Sequence, residues 1–126
     1  MQEDIKAFLD KAESKIRTAR LDFEGKQYDD AVSRAYYAVF NAMAAVLTIK
    51  GLAFSSHGQA IGAFNREFIK KCVFPEEFTG FIQALFEDRQ ASDYDPIPEI
   101  NKEMAQTHIK NAETIVSAIK NFIETY

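Results

Sequence analysis

Between Ser33 and Ile49 the chain reads Ser-Arg-Ala-Tyr-Tyr-Ala-Val-Phe-Asn-Ala-Met-Ala-Ala-Val-Leu-Thr-Ile, without a Gly or a Pro. The stretch is rich in Ala, the strongest helix former, and is apolar on nearly every side of a 3.6-residue period. One face follows Ala35, Val39, Met43 and Val46, and a neighbouring one follows Tyr36, Phe40 and Leu47. A helix apolar all round must be covered all round, so other helices or a second subunit have to flank it on both sides. The exceptions form a stripe: Arg34, Tyr37 and Asn41 fall at i, i+3 and i+7. A polar stripe on an otherwise buried helix is the first place to look for a site.

The rest of the chain supplies the cover. From Glu3 to about Glu24, apolar residues recur at Ile5, Phe8, Leu9, Ala12, Ile16, Ala19 and Phe23, which predicts a helix with one buried face. Lys11, Lys15, Arg17 and Arg20 lie on its other side and read as a solvated face. Gly25 is expected to stop this helix, and Asp29 or Asp30 to cap the central one, which runs to Lys50 and is closed by Gly51. Ser55 or Ser56 is expected to cap a third helix over about Gly58 to Lys71, with His57 at its mouth. Pro75 suits the first position of a fourth helix, with Glu76 and Glu77 at its positive end.

The inner stripe of that fourth helix reads Phe78, Phe81, Ile82, Leu85, Phe86, and the same spacing then lands on Arg89, Ser92 and Asp93. Its buried face therefore turns from Phe to charge in the last turns. Pro96 and Pro98 end it, and Pro98 is expected to open a fifth helix on Ile100, Met104, His108, Ile115, Ile119 and Phe122. No segment alternates with period two for long enough to form a strand. The expected fold is all-α: an up-and-down helical bundle of four long helices plus one shorter one, forming a single domain over residues 1–126.

Composition narrows the function. With 126 residues the chain has enough length for one core. The longest apolar run, Ala35 to Leu47, is broken by Asn41 and falls short of the roughly 20 residues that span a bilayer. No membrane segment is expected. The N-terminal Met-Gln-Glu-Asp-Ile-Lys lacks the order of a secretory signal, which makes the cytoplasm the expected compartment. The single cysteine, Cys72, has no partner thiol and, beside Val73 and Phe74, is expected to be buried and inert. A net charge of −4 argues against a protein that coats nucleic acid by bulk electrostatics. The charge is unevenly spread: residues 1–71 hold eleven Lys or Arg against nine Asp or Glu, and residues 72–126 hold four against ten. That bias allows a local basic face for phosphates.

There is no Gly-rich phosphate loop, no His-Glu-x-x-His, no cysteine pair and no nucleophile elbow. No metal site and no cofactor are expected. What helical spacing sends inward is Arg34, Tyr37 and Asn41, then His57, then Arg89, Asp93 and Tyr94. Arg89 and Asp93 are four apart and can pair on one helix surface, either as a structural ion pair or as part of a cleft. His108 lies on an apolar stripe and is expected to be a satisfied core histidine.

Three pieces occur together in this order: Ser33-Arg34-Ala35-Tyr36-Tyr37-Ala38-Val39-Phe40-Asn41-Ala42, Ser56-His57-Gly58, and Arg89-Gln90-Ala91-Ser92-Asp93-Tyr94. In combination they resemble the HEPN domain, in its branch of short single-domain prokaryotic proteins, over essentially the whole chain. The resemblance implies a homodimer whose polar clefts face each other and a frequent partner, a minimal nucleotidyltransferase, with which such proteins form toxin–antitoxin pairs. It also implies, for active members, a metal-independent endoribonuclease whose motif is an Arg followed, after four to six residues, by a His. Arg holds the phosphate and His moves the proton.

Here the positions open to that His after Arg89 are Tyr94, Asp95 and Pro96, and none is His. Asp93 is no easy substitute, because an ionised carboxylate accepts a proton but cannot donate one and pairing with Arg89 is expected to favour that form. Some toxin members carry a Tyr two residues past the His that the partner modifies; the corresponding residue here is Pro96. The leading expectation is thus a nucleotide- or RNA-binding interaction protein working with a nucleotidyltransferase partner, its cleft formed by Arg34, Tyr37, Asn41, His57, Arg89, Asp93 and Tyr94. The alternatives are a ribonuclease in which His57 or Tyr94 carries the proton, and a structural dimer that binds no ligand.

Overall fold

The computed structural model describes residues 2–97 and 99–126. Five α-helices follow one another: α1 (Glu3–Glu24), α2 (Tyr28–Ile49), α3 (His57–Phe64), α4 (Glu77–Tyr94) and α5 (Lys102–Thr125). Among the described residues there is no strand. Four are long and α3 is short, as periodicity predicts.

Side-chain pairs fix the directions. Glu13 meets Lys120 at 2.7 Å and Arg20 meets Glu113 at 2.9 Å, so α1 and α5 run antiparallel. Ser33 meets Asp93 while Tyr36 meets Arg89, so α2 and α4 also run antiparallel. With the short turn between α1 and α2, the four long helices alternate up and down. α2 is the centre of the bundle: α1, α3, α4 and α5 all pack on it. Its Ala31, Val32, Ala35, Tyr36, Val39, Met43, Val46 and Leu47 are buried, each large apolar side chain contributing about 1.5–3 kcal/mol. At 22 residues α2 is long and apolar enough by composition to cross a membrane. Its packing on four neighbours, rather than the shortness inferred from the interrupted run, accounts for that apolarity here.

Several helix ends differ from expectation. α1 stops not on a glycine in the left-handed region but on Lys26 at φ 61°, whose N–H donates to the Phe23 carbonyl while Gln27 N–H donates to Asp22. This is the Schellman arrangement, and Gly25 merely precedes it. α2 ends the same way on Gly51, at φ 71°. The N-cap of α2 is Gln27, with Asp29 and Asp30 inside the first turn, where they face the positive helix end without capping it.

The expected third helix is α3 plus a π-helical turn, Asn65–Ile69, closed by the Lys70 N–H donating to the Asn65 carbonyl at 2.8 Å. The wider turn leaves Phe64, Phe68 and Ile69 all buried. The turn that follows places Cys72 in the left-handed region, at φ 59°. That position is a surface turn, so Cys72 is exposed and not buried as its apolar neighbours suggested.

Pro75 lies ahead of α4, which begins at Glu77. α5 begins at Lys102, with the Asn101 side chain accepting from Met104 N–H at 2.9 Å. Pro98, expected to open it, lies outside the described residues, and Glu99 and Ile100 are not helical. Phe64, Phe68, Phe74, Phe78 and Phe122 fill the end of the bundle where α4 starts. The other end of α4 is where the charge is.

Candidate functional site

Arg89 occupies the fourth step of the buried stripe of α4, after Phe78, Ile82 and Leu85, and is only 6% exposed. Aromatic side chains surround its guanidinium: Cζ lies 4.6 Å from the Tyr36 ring centre, 5.4 Å from Phe86 and 5.6 Å from Tyr37. Such faces attract a cation without using up its donors. The polar contacts are long. Nη1 lies 3.4 Å from Asp93 Oδ2 and Nη2 lies 3.4 Å from His57 Nδ1. Nε is buried and has no hydrogen-bond partner among the described residues. A five-donor cation held this way is under-satisfied, and a buried donor without an acceptor costs about 1–3 kcal/mol.

His57 reaches the same place from the start of α3, which Ser56 caps by accepting from Gln59 N–H at 3.2 Å. The imidazole stacks on Phe40 at 4.2 Å and on Tyr36 at 5.5 Å, with the Tyr37 ring edge-on. Its Nδ1 also lies 2.7 Å from the Tyr36 hydroxyl. Burial first, then the Arg89 charge, hold the His57 imidazole below its ordinary pKa, which keeps it neutral. Burial pushes the Tyr36 hydroxyl up to about 12, with Arg89 pulling the other way. Asp93, in turn, is held by Ser33, whose hydroxyl donates to Oδ1 at 2.8 Å. That bond is shorter than the one between Asp93 and Arg89.

Of the residues picked from the sequence, Tyr37, His57, Arg89 and Asp93 come together. Arg34 is engaged with α1, its Nε 3.9 Å from Asp22 Oδ2 on the exposed side. Asn41 is buried, but its amide donates to the Tyr37 carbonyl at 2.7 Å within α2, which occupies it structurally. Tyr94 is 77% exposed. Three contributors went unread: Tyr36, Phe40 and Ser33. Tyr36 and Phe40 were placed on an apolar face, and the face was right, but a tyrosine on an apolar face still has to satisfy its hydroxyl. His108, as expected, is a satisfied core residue, with Nε2 at 2.6 Å from Asp88 Oδ2.

Among the described residues no cluster of three or more metal-ligating side chains occurs. A groove of about 310 Å³ between α1 and α5 contains Arg20, Lys110 and Glu113. Its Arg20 is already paired to Glu113, so volume there carries no unmet chemistry. At Arg89 a guanidinium with a donor left unpartnered among the described residues thus adjoins a neutral imidazole.

A HEPN domain profile matches residues 5–122 of this chain. A UPF0332 protein of Thermotoga maritima is 38% identical over 106 residues, which cover 84% of this chain and 80% of that protein. A Methanocaldococcus jannaschii protein named as a candidate toxin is 32% identical over 124 residues, covering 98% of this chain and 92% of its own length. A second protein of that organism with the same designation is 28% identical over 122 residues, covering 97% and 83%.

Proposed function

The chain belongs to the HEPN domain family, with relatives named as candidate toxins, and from that premise we propose that it binds the phosphate of a nucleotide or an RNA at Arg89. In this reading it acts in the cytoplasm as a homodimer and as one half of a toxin–antitoxin-like pair, with a nucleotidyltransferase as partner. The observation that carries the reading is the buried guanidinium with an unpartnered Nε. A cation in an aromatic enclosure, with donors left over, is built to receive an acceptor-rich anion. Arginine needs no proton transfer for this, so the absence of the motif His after Arg89 leaves the role intact.

Calorimetric titration of ATP and of a short RNA onto the purified protein and onto Arg89→Met tests it, with affinity purification from the native cell to find the partner. Binding by the native protein and none by Arg89→Met supports the reading. Loss of neither ligand in Arg89→Met, or recovery of no nucleotidyltransferase and no bound nucleotide, counts against it.

One observation favours a second reading, a metal-independent endoribonuclease: His57 Nδ1 lies 3.4 Å from Arg89 Nη2, so a histidine adjoins the arginine although it comes from another helix. This reading requires that labelled RNA be cut in the presence of chelator and that cutting stop in both Arg89→Ala and His57→Ala.

A further inference from the structure

At His57 Nδ1 two donors meet one acceptor. The Tyr36 hydroxyl lies 2.7 Å away and Arg89 Nη2 lies 3.4 Å away. An arginine nitrogen only donates. A proton on Nδ1 could be accepted by the Tyr36 oxygen but would leave a guanidinium N–H pointing at it from 3.4 Å, whereas a bare Nδ1 accepts from the Tyr36 hydroxyl and from Arg89 together. The second arrangement satisfies both donors, and in it the Tyr36 hydroxyl donates along the shorter contact. A neutral imidazole with a bare Nδ1 carries its proton on Nε2. The ring cannot readily leave this position, because Phe40 and Tyr36 stack on it and Tyr37 closes its edge. His57 is half-buried, and among the described residues its hydrogen bonds engage Nδ1, not Nε2.

We propose that Tyr36, together with Arg89, locks His57 in the Nε2–H tautomer and thereby makes His57 a hydrogen-bond donor to the phosphate at Arg89, not an acceptor. Tyr36 is then the positioning residue of the cleft, acting on the ligand through His57. The donor role rests on the phosphate reading given above; the lock itself does not. The consequence is chemical selectivity. The Arg89 Nη groups and His57 Nε2–H are donors only, and the nearby acceptor, Asp93, is tied to Ser33 at 2.8 Å. A donor-only lining favours fully ionised phosphate oxygens over amines or any ligand that must donate.

The test begins without ligand. Long-range proton–nitrogen NMR of the ¹⁵N-labelled protein distinguishes protonated from bare ring nitrogens, and His57→Gln assigns the signals against His108. The expected result is a bare Nδ1 and a protonated Nε2 in the native protein, relaxing to a mixture of tautomers in Tyr36→Phe, which removes only the hydroxyl. A protonated Nδ1 or a mixture in the native protein overturns the lock, and needs no variant to do so. Inorganic phosphate is then added. It should move the His57 Nε2 signal and bind more weakly to Tyr36→Phe by the inverse of the Nε2–H fraction that remains there, about twofold for an equal mixture. His57→Gln, which keeps an N–H donor, should stay within about threefold of the native affinity. A locked tautomer with no phosphate binding overturns the phosphate reading and the donor role with it, while an unlocked tautomer with phosphate binding overturns the lock alone.

Discussion

Arg89→Met separates a binding residue from a structural strut, because the two roles predict opposite changes in stability. Met fills the space of the arginine stem, and volume-conserving swaps of this kind cost less than about 1.5 kcal/mol. The substitution gives up the cation–π contact with Tyr36, worth about 2 kcal/mol at most, and a 3.4 Å contact with a partly exposed Asp93, worth about 1 kcal/mol or less. It removes a buried donor with no partner, which relieves about 1–3 kcal/mol, together with part of the cost of burying a charge. The Met sulfur regains about 0.3–1.5 kcal/mol against the Tyr36, Tyr37 and Phe86 rings. At mid-range values these terms cancel to within about 1 kcal/mol.

Urea denaturation followed by circular dichroism, at one fixed protein concentration, reads this directly. A destabilisation of 3 kcal/mol or more, typical of breaking a satisfied buried ion pair, would refute the reasoning and make Arg89 a strut. The complementary measurement is protection by ligand. Phosphate at about a hundred times its Kd should stabilise the native protein by about 2.7 kcal/mol and leave Arg89→Met unmoved.

Four further outcomes are expected. Lys26→Gly and Cys72→Gly should each stabilise the fold by about 1 kcal/mol in thermal denaturation, because both residues sit in the left-handed region that disfavours a side chain. Gly51→Ala should cost a similar amount, purely through the backbone, since no atom lies within 4 Å of an added Cβ. Asp93→Asn removes a negative charge beside Arg89 and should tighten phosphate binding by about three- to tenfold in calorimetry, on the order of 1 kcal/mol. For pH, burial lowers the His57 pKa in the folded state, so on acidification the unfolded chain takes up the proton first. Stability should therefore fall as pH drops below about 6.5, less steeply in His57→Gln, and fall again above about 10, where Tyr36 resists ionisation up to about 12.

How far the chain could be read depends on whether a signal is periodic. α1, α2 and the stripe of α4 follow from apolar spacing, and so does the burial of Arg89, which is one more step of that spacing. Turn chemistry was less legible. Gly25 looked like the stop of α1, yet Lys26 takes the left-handed position, and the same geometry brings Cys72 to the surface. Residue preference is weaker than the hydrogen bonds that close a helix end. The π-turn at Asn65–Ile69 leaves no mark on composition at all.

The cleft was half legible for a related reason. Periodicity assigns a residue to a face, but whether two polar groups meet across helices depends on how those helices are packed. Arg34, Tyr37 and Asn41 share a stripe, yet only Tyr37 faces Arg89, because Asn41 turns back on its own helix and Arg34 reaches α1. Tyr36 shows the converse. It is completely buried, so by periodicity it belongs to the core, and by its hydroxyl it belongs to the cleft. One side chain thus joins the packing of α2 to the tautomer of a histidine on α3 and to the aromatic cover of an arginine on α4. The consequence is that the cleft is no more adjustable than the core: shifting α3 or α4 on α2 by a fraction of an ångström would disturb the 2.7 Å contact between Tyr36 and His57 and the enclosure of Arg89 together. Arg89 therefore adjoins an imidazole although positions 94–96 carry no histidine. The bundle supplies an imidazole 32 positions earlier in the chain, and the packing of α2 holds it there.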